Sequence, residues 1–384
     1  MNWKRWSTLG AALLVAACSA PIKKPIDSGE VQPRYLRTSF SQLPEWQTRD
    51  LRSAWSSWQS SCKALAKRSG WENVCRASTQ VNAQDNAAIR QYFENYFQAY
   101  QLSDGNKDSG LITGYYEPLL KGNLKPDAQA KHPLYPSPND MLSVELNQVY
   151  ARLAGMRLRG RLEGNRVVPY YTAAEIVSGK GPQPASAIAW VNDPVELMFL
   201  QIQGSGRIEL PDGKLIRVGY ADQNGHPYQS LGRWLIDQGE LKAHQASMQG
   251  IKAWAQANPK RINELWAANP SYVFFRRLPN ADGGPPGALG VPLTPQASVA
   301  VDARYIRLGT PLWLSTTRPL SDVPMVNMVH AQDTGGAIKG VVRADYFWGF
   351  GESAGAEAGR MKQRGKMWAM LPKGMNPPDG VRVE

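Results

Sequence analysis

The sequence predicts a mainly β chain with helices, of the α+β class, on three observations. Its 35 Gly and 28 Pro imply many turns, and so many short strands. Its periodicity changes in blocks, from helical to strand-like, back to helical, and again to strand-like. Its apolar content of 42% is that of a globular body, and no run beyond the leader could span a bilayer.

The elements follow in order. Lys4 and Arg5 make a basic start, and Leu9 to Ala17 make an apolar stretch too short to cross a membrane, which reads as a secretory signal over 1–17. Val15-Ala16-Ala17-Cys18 resembles the bacterial lipobox, so Cys18 is expected to carry lipid. Ser19, where an aspartate is absent, fits the pattern sent on to the outer membrane. The expected place is therefore the outer membrane, lipid-anchored and facing the periplasm. Residues 18–39, with Pro21, Pro25 and Pro33, read as a tether.

Leu51, Trp55, Trp58, Cys62 and Leu65 mark one apolar helical face, and Ile89, Phe93, Tyr96 and Tyr100 mark a second. From about residue 111 strands take over. Val195 to Ile202 is a continuous apolar run read as a strand, and Pro211-Asp212-Gly213 turns a hairpin between Ile208–Leu210 and Leu215–Val218. Helices return near 228–238 and 248–256, and short strands near 272–275, 299–302, 312–314, 325–331 and 367–371 close the chain, with a Pro/Gly-rich loop at 279–295.

Composition limits the chemistry. Apart from Cys18, the cysteines are Cys62 and Cys75, near enough to form one disulfide in an oxidising compartment, with two buried free thiols as the alternative. Four His leave little from which to build a zinc site, so neither metal nor cofactor is expected. The net charge of +12 suits an acidic polymer; nucleic acid would match the charge but not an exported chain.

The most informative stretch is Asp333-Thr334-Gly335-Gly336-Ala337-Ile338-Lys339-Gly340, followed by Asp345. Glycines there let the backbone approach a ligand closely. If the flanking strands pair, Asp333 and Asp345 share a cleft, and like charges so close raise one pKa until a carboxylic acid survives near neutral pH. Asp302, at another strand end, is a third, supporting acid. Asp333-Thr334-Gly335 also matches the aspartic-protease triplet, but that site needs a second copy or a homodimer to complete its dyad, no second Asp-Thr-Gly or Asp-Ser-Gly occurs, and polar Gln332 precedes it. Gly204-Ser205-Gly206 lacks the spacing of a serine nucleophile elbow.

Several blocks together resemble the membrane-bound lytic murein transglycosylases of type A: Thr113-Gly114-Tyr115-Tyr116-Glu117-Pro118, Gln201-Ile202-Gln203-Gly204-Ser205-Gly206, Gly219-Tyr220-Ala221, Asn224-Gly225-His226, Asn269 to Phe275, and the three aspartates that name the 3D domain. The resemblance implies a double-psi β-barrel domain (40–111 and 232–384) with a second β-barrel domain inserted (112–231) and a groove between them. It implies cleavage of peptidoglycan glycan strands to 1,6-anhydromuramoyl ends, with Asp345 as acid and then base and Asp333 assisting. Substrate contacts are expected from Thr113, Gly114, Tyr115, Tyr116, Gln203, Gly204, Ser205, Gly206, Gly335, Gly336 and Lys339, with only one of the two tyrosines on glycan and the other in the core. Arg343-Ala344-Asp345 departs from the family's His-Phe-Asp. A hydrolytic muramidase and a non-catalytic wall-binding lipoprotein are the rival readings. Expected partners are the glycan strands, the membrane through the lipid, and other periplasmic cell-wall enzymes.

Overall fold

The structure, a computed structural model, describes residues 32–153, 156–279 and 283–384. The expected leader and Cys18 lie outside the described residues. No described helix is long and apolar enough to cross a membrane.

The described residues open with β1 (Pro33–Thr38), three helices α1 (Arg52–Leu65), α2 (Glu72–Ser78) and α3 (Asn86–Tyr96), then β2 (Phe97–Asp104) and β3 (Gly110–Glu117). The apolar stripe of α1 buries Trp55, Trp58, Cys62 and Leu65. Asp85 caps α3 by accepting from the N–H groups of Ala87 and Ala88, and the helix yields to β2 at Phe97, so Tyr100 stands on a strand and not on the expected helical face. Cys62 and Cys75 are joined as a disulfide, with Cα atoms 5.3 Å apart, which ties α1 to α2.

A second body follows: β4 (Leu119–Asn123), β5 (His132–Leu134), β6 (Leu142–Val144), β7 (Leu158–Glu163), β8 (Arg166–Pro169), α4 (Ala173–Val177), β9 (Ala189–Val191), α5 (Pro194–Gln203), β10 (Ser205–Glu209), β11 (Leu215–Gln223), α6 (Leu231–Asp237), α7 (Met248–Ala257), α8 (Ile262–Ala268) and β12 (Val273–Leu278). Its six-stranded sheet runs β12-β11-β10-β4-β9-β5, and Phe275 N–H donates to the carbonyl of Tyr135 just beyond β5 (2.9 Å), drawing the two edges together. The run 195–202 is helix, not strand. Asp193 caps it, Pro194 opens it and Gly204, at φ 77°, ends it; Val195, Leu197, Met198, Phe199 and Leu200 are buried in this body's core, which is why the run is so apolar. The expected return to the first domain at 232 comes later. Leu231, Leu235, Ile251, Trp254, Leu265 and Phe274 all pack into the second body's core, so α6–α8 and β12 belong with it.

The chain then returns through β13 (Ser298–Val301), β14 (Pro311–Thr317), β15 (Pro324–Thr334), β16 (Arg343–Phe350), α9 (Gly351–Arg360), β17 (Lys362–Pro372) and β18 (Arg382–Val383). The order β14-β15-β13-β16-β3-β17 closes on itself, because β17 also pairs with β14 from Leu312↔Ala369 to Ser315↔Lys366. The result is a closed six-stranded barrel, filled by Val299, Val301, Leu314, Val329, Ala344 and Tyr346, with β2, β1 and β18 extending from β17. At the passage from β3 into β4 the fully buried Glu117 is held by Arg207 (3.0 Å) and Arg217 (3.1 Å) of β10 and β11. Arg207 also stacks on Phe350 of β16, 4.1 Å from the ring centre.

Candidate active site

The barrel strands bring the two aspartates together around one small residue. Ala300 of β13 is opposite Asp345 of the antiparallel β16 and opposite Asp333 of the parallel β15. Side chains alternate along a strand, so Thr113 and Tyr115 of β3 share the outer barrel face with Asp345 and Phe347, while Ile112, Ala344 and Tyr346 fill the interior. Strict alternation along β15 would turn Asp333 inward, like Val329 and Ala331. A register shift between Val299↔Ala331 and Ala300↔Asp333 inserts Gln332 as an extra residue and brings Asp333 to the outer face.

The two carboxyls are held differently. Both oxygens of Asp333 are engaged: Oδ1 accepts from Ala288 N–H (2.9 Å) and Oδ2 from the Tyr115 hydroxyl (3.0 Å). Asp345 has one partner, the Thr113 hydroxyl, which donates to Oδ1 (2.5 Å); among the described residues its Oδ2 has none. Burial pushes the Asp333 carboxyl up to about 6 against the N–H groups of Thr334 and Ala288 and the Tyr115 hydroxyl, all of which favour the charged form. The charge of Asp345 adds only a small further push. Asp345 is raised as well, by burial first, opposed by the Thr113 hydroxyl and by the charge of Arg343. Mutual repulsion, the expected cause, is thus secondary to desolvation at both. A small apolar cluster of Tyr115, Leu293, Ala300, Ile338 and Phe347 supports the pair.

Asp302 does not join them. It is buried, paired with Arg304 (2.6 Å), and accepts from Gly340 N–H (2.9 Å), so it anchors the end of the glycine-rich loop. Burial would raise its pKa, but the Arg304 and Gly340 contacts outweigh that and leave it lowered. Gly336 and Lys339 are exposed on that loop and Gly335 is half-buried.

The remaining expected contacts lie on the other face of β3. Gly114, Tyr116 and Gln203 line a cavity of about 190 Å3 with Tyr228, Ser230 and Met248. Gly114 is obligatory there, because a Cβ would come within 2.6 Å of the Trp348 ring and 2.9 Å of the α9 backbone at Ala358. Gln203 Oε1 accepts from Tyr116 N–H (3.1 Å), and Gly204, Ser205 and Gly206 form the turn from α5 into β10 beneath it. Tyr115 and Tyr116 therefore divide as alternation requires, the first onto Asp333 and the second toward Met248. Sequence reasoning missed Ala288, whose only signal was the Gly-Pro-rich loop around it, and Gln332, noticed only as an unexpected polar residue. Among the described residues no cluster of His, Cys, Asp and Glu could hold a metal.

Residues 111–276 match the MltA specific insert domain, and residues 297–371 match the 3D domain. The chain is similar to the membrane-bound lytic murein transglycosylase A of Vibrio cholerae, 31% identical over 288 residues that cover 71% of this chain and 68% of that one. It is similar in structure to MltA from Neisseria gonorrhoeae, with 40% identity, a TM-score of 0.79, and 90% of this chain and 94% of that one covered. The Escherichia coli MltA structure with bound chitohexaose is 26% identical, with a TM-score of 0.68, covering 91% of this chain and 97% of that one.

Proposed function

The chain belongs to the membrane-bound lytic murein transglycosylase A family, and from that premise we propose that it cuts the β-1,4 bond between N-acetylmuramic acid and N-acetylglucosamine in peptidoglycan without using water. Asp345, protonated, gives its proton to the bridging oxygen as the bond from that oxygen to the muramoyl C1 breaks. The resulting carboxylate takes the proton from the muramoyl C6 hydroxyl as O6 attacks C1, which leaves a 1,6-anhydro end and returns Asp345 to its starting state. The hydroxyl is tethered to the reacting sugar, which favours it over water. Asp333, nearby and fully hydrogen-bonded, assists by opposing positive charge at C1.

One observation carries this choice of acid. Asp345 Oδ2 is without a protein partner among the described residues, whereas both oxygens of Asp333 are taken. Burial raises its pKa and so favours the protonated form over that of an ordinary carboxylate. Thr113 and Tyr115 hold the two acids, with the glycine-rich loop and Lys339 beside them, while Gly114, Tyr116 and Gln203 line a separate cavity on the opposite face of β3. The barrel segments form the catalytic body and the inserted segment the opposite wall of the groove. Cys18 carries the lipid that keeps the enzyme at the outer membrane, facing the periplasm.

Mass spectrometry of digested murein tests the reaction. Anhydro-muropeptides are expected from the wild type and none from Asp345→Asn. Reducing ends would mean a hydrolase, intact glycan a binding protein, and retained activity in Asp345→Asn another acid.

A further inference from the structure

We infer that Gln332 is a positioning residue, whose side-chain brace holds the bulge that turns Asp333 out of the barrel and into the cleft. The inference rests on the functional reading above. A bulge leaves one residue without a ladder partner, so something must favour it over the regular strand. In regular pairing Gln332 would oppose Ala300, and Asp333 would follow Val329 and Ala331 into the apolar interior.

Gln332 is fully buried and every polar group of its side chain is engaged. Its Nε2 donates to the Ser57 carbonyl (2.8 Å) and to Ser61 Oγ (2.9 Å), both on α1. Its Oε1 accepts from Ser298 Oγ (2.5 Å) at the start of β13. Ser298 Oγ in turn accepts from Thr294 N–H (2.7 Å). The brace therefore runs from a helix, through the bulged residue, to the strand that carries Ala300.

The cleft side is fastened at the same residue. The Gln332 carbonyl accepts from Leu289 N–H (2.9 Å), and the neighbouring Ala288 N–H reaches Asp333 (2.9 Å). The loop comes so close that a Cβ on Gly287 would lie 2.4 Å from the Gln332 carbonyl oxygen. The bulge thus sets two things together, the direction of Asp333 and the seat of the loop that holds its carboxylate. Ser61 is followed by Cys62, so the disulfide steadies the helical end of the brace.

The test compares the wild type with Gln332→Met, which keeps the shape and loses the bonds, and with Ser298→Ala, which removes only one partner. Leu314→Ala, in the barrel interior away from the cleft, serves as a stability-matched control. Expected is a fall in kcat of about a hundredfold for Gln332→Met and about tenfold for Ser298→Ala, with KM changed less than about threefold. The limb of the pH profile that reports Asp333 should move in both, while Leu314→Ala keeps the wild-type kcat and profile. A folded Gln332→Met protein with wild-type kcat and pH profile overturns the inference. So does a crystal structure of that variant with Asp333 still opposite Ala300, whatever its activity. If Gln332→Met does not fold, an unchanged Ser298→Ala decides against it. A wild type that yields no anhydro ends defeats the functional reading, and the crystal structure then judges Gln332 on its own.

Discussion

Replacing Asp333 by Asn should make the protein more stable while impairing its chemistry, and the gain should depend on pH. Burial holds the Asp333 carboxyl at about 6 in the fold, against an ordinary 3.8. The folded state therefore keeps this proton more tightly than the unfolded chain does. Its stability falls as pH rises from about 4 to about 6, and the loss is complete above that window. A gap of about two units amounts to about 3 kcal/mol. Asn carries no charge to desolvate, its amide oxygen can still accept from Ala288 N–H, and its amide N–H can donate to the Tyr115 oxygen. Asp333→Asn should then match the wild type near pH 4 and exceed it by about 3 kcal/mol near pH 7.5, read from parallel urea unfolding curves. A difference that stays constant across that range would refute burial of a costly charge as the cause, and so would a variant weaker at the higher pH.

Three further outcomes follow from the geometry. His330, stacked on Trp58 and held by burial near a pKa of about 3, stays neutral while the unfolded chain takes up a proton below about 6.5, so stability drains as pH falls from there toward 3. His330→Phe should remove about 3 kcal/mol of the wild-type loss between pH 7.5 and pH 4.5, and parallel unfolding curves with equal slopes against pH would count against it. Converting Cys62 and Cys75 to Ser together should cost about 3 kcal/mol, seen as a lower calorimetric melting temperature, since their bond closes a short loop between two helices. Thr113→Val deletes the donor that favours charged Asp345, so the alkaline limb of kcat/KM should shift upward and kcat should fall about tenfold; an unmoved limb would argue against Asp345 as the titrating acid.

Much of the fold was readable from local pattern. The stripe of α1, the hairpin of β10 and β11, and the strands β13, β14, β15 and β17 stood where spacing and turn residues put them, whereas β16, which carries Asp345, and α9 had not been placed. The run 195–202 misled, because a helix with most of its residues buried leaves little period to read; the informative signals were Asp193-Pro194 before it and Gly204 after it. Tyr100 continued the spacing of α3 past a point where the chain had already become a strand. The return of the chain was placed too early at 232, since nothing local tells whose core Leu235 or Trp254 will fill. Within the site, the pairing of Asp333 with Asp345 was legible as two acids around a glycine-rich turn. The engagement of Asp302 with Arg304 and Gly340 was not, and neither was the bulge. Both arise from contacts between distant strands, where one extra residue reverses the face a side chain takes.

The fully buried Glu117, gripped by Arg207 and Arg217, bears on how freely the chain can bend where the barrel passes into the inserted body. Drawing either arginine away strands a carboxylate in a place with no water to receive it, a penalty of several kcal/mol. The contact sits where the barrel hands the chain to the inserted body, with Arg207 also seated on Phe350 of the barrel. A hinge that parts these side chains would therefore be costly, so the junction resists bending at this point.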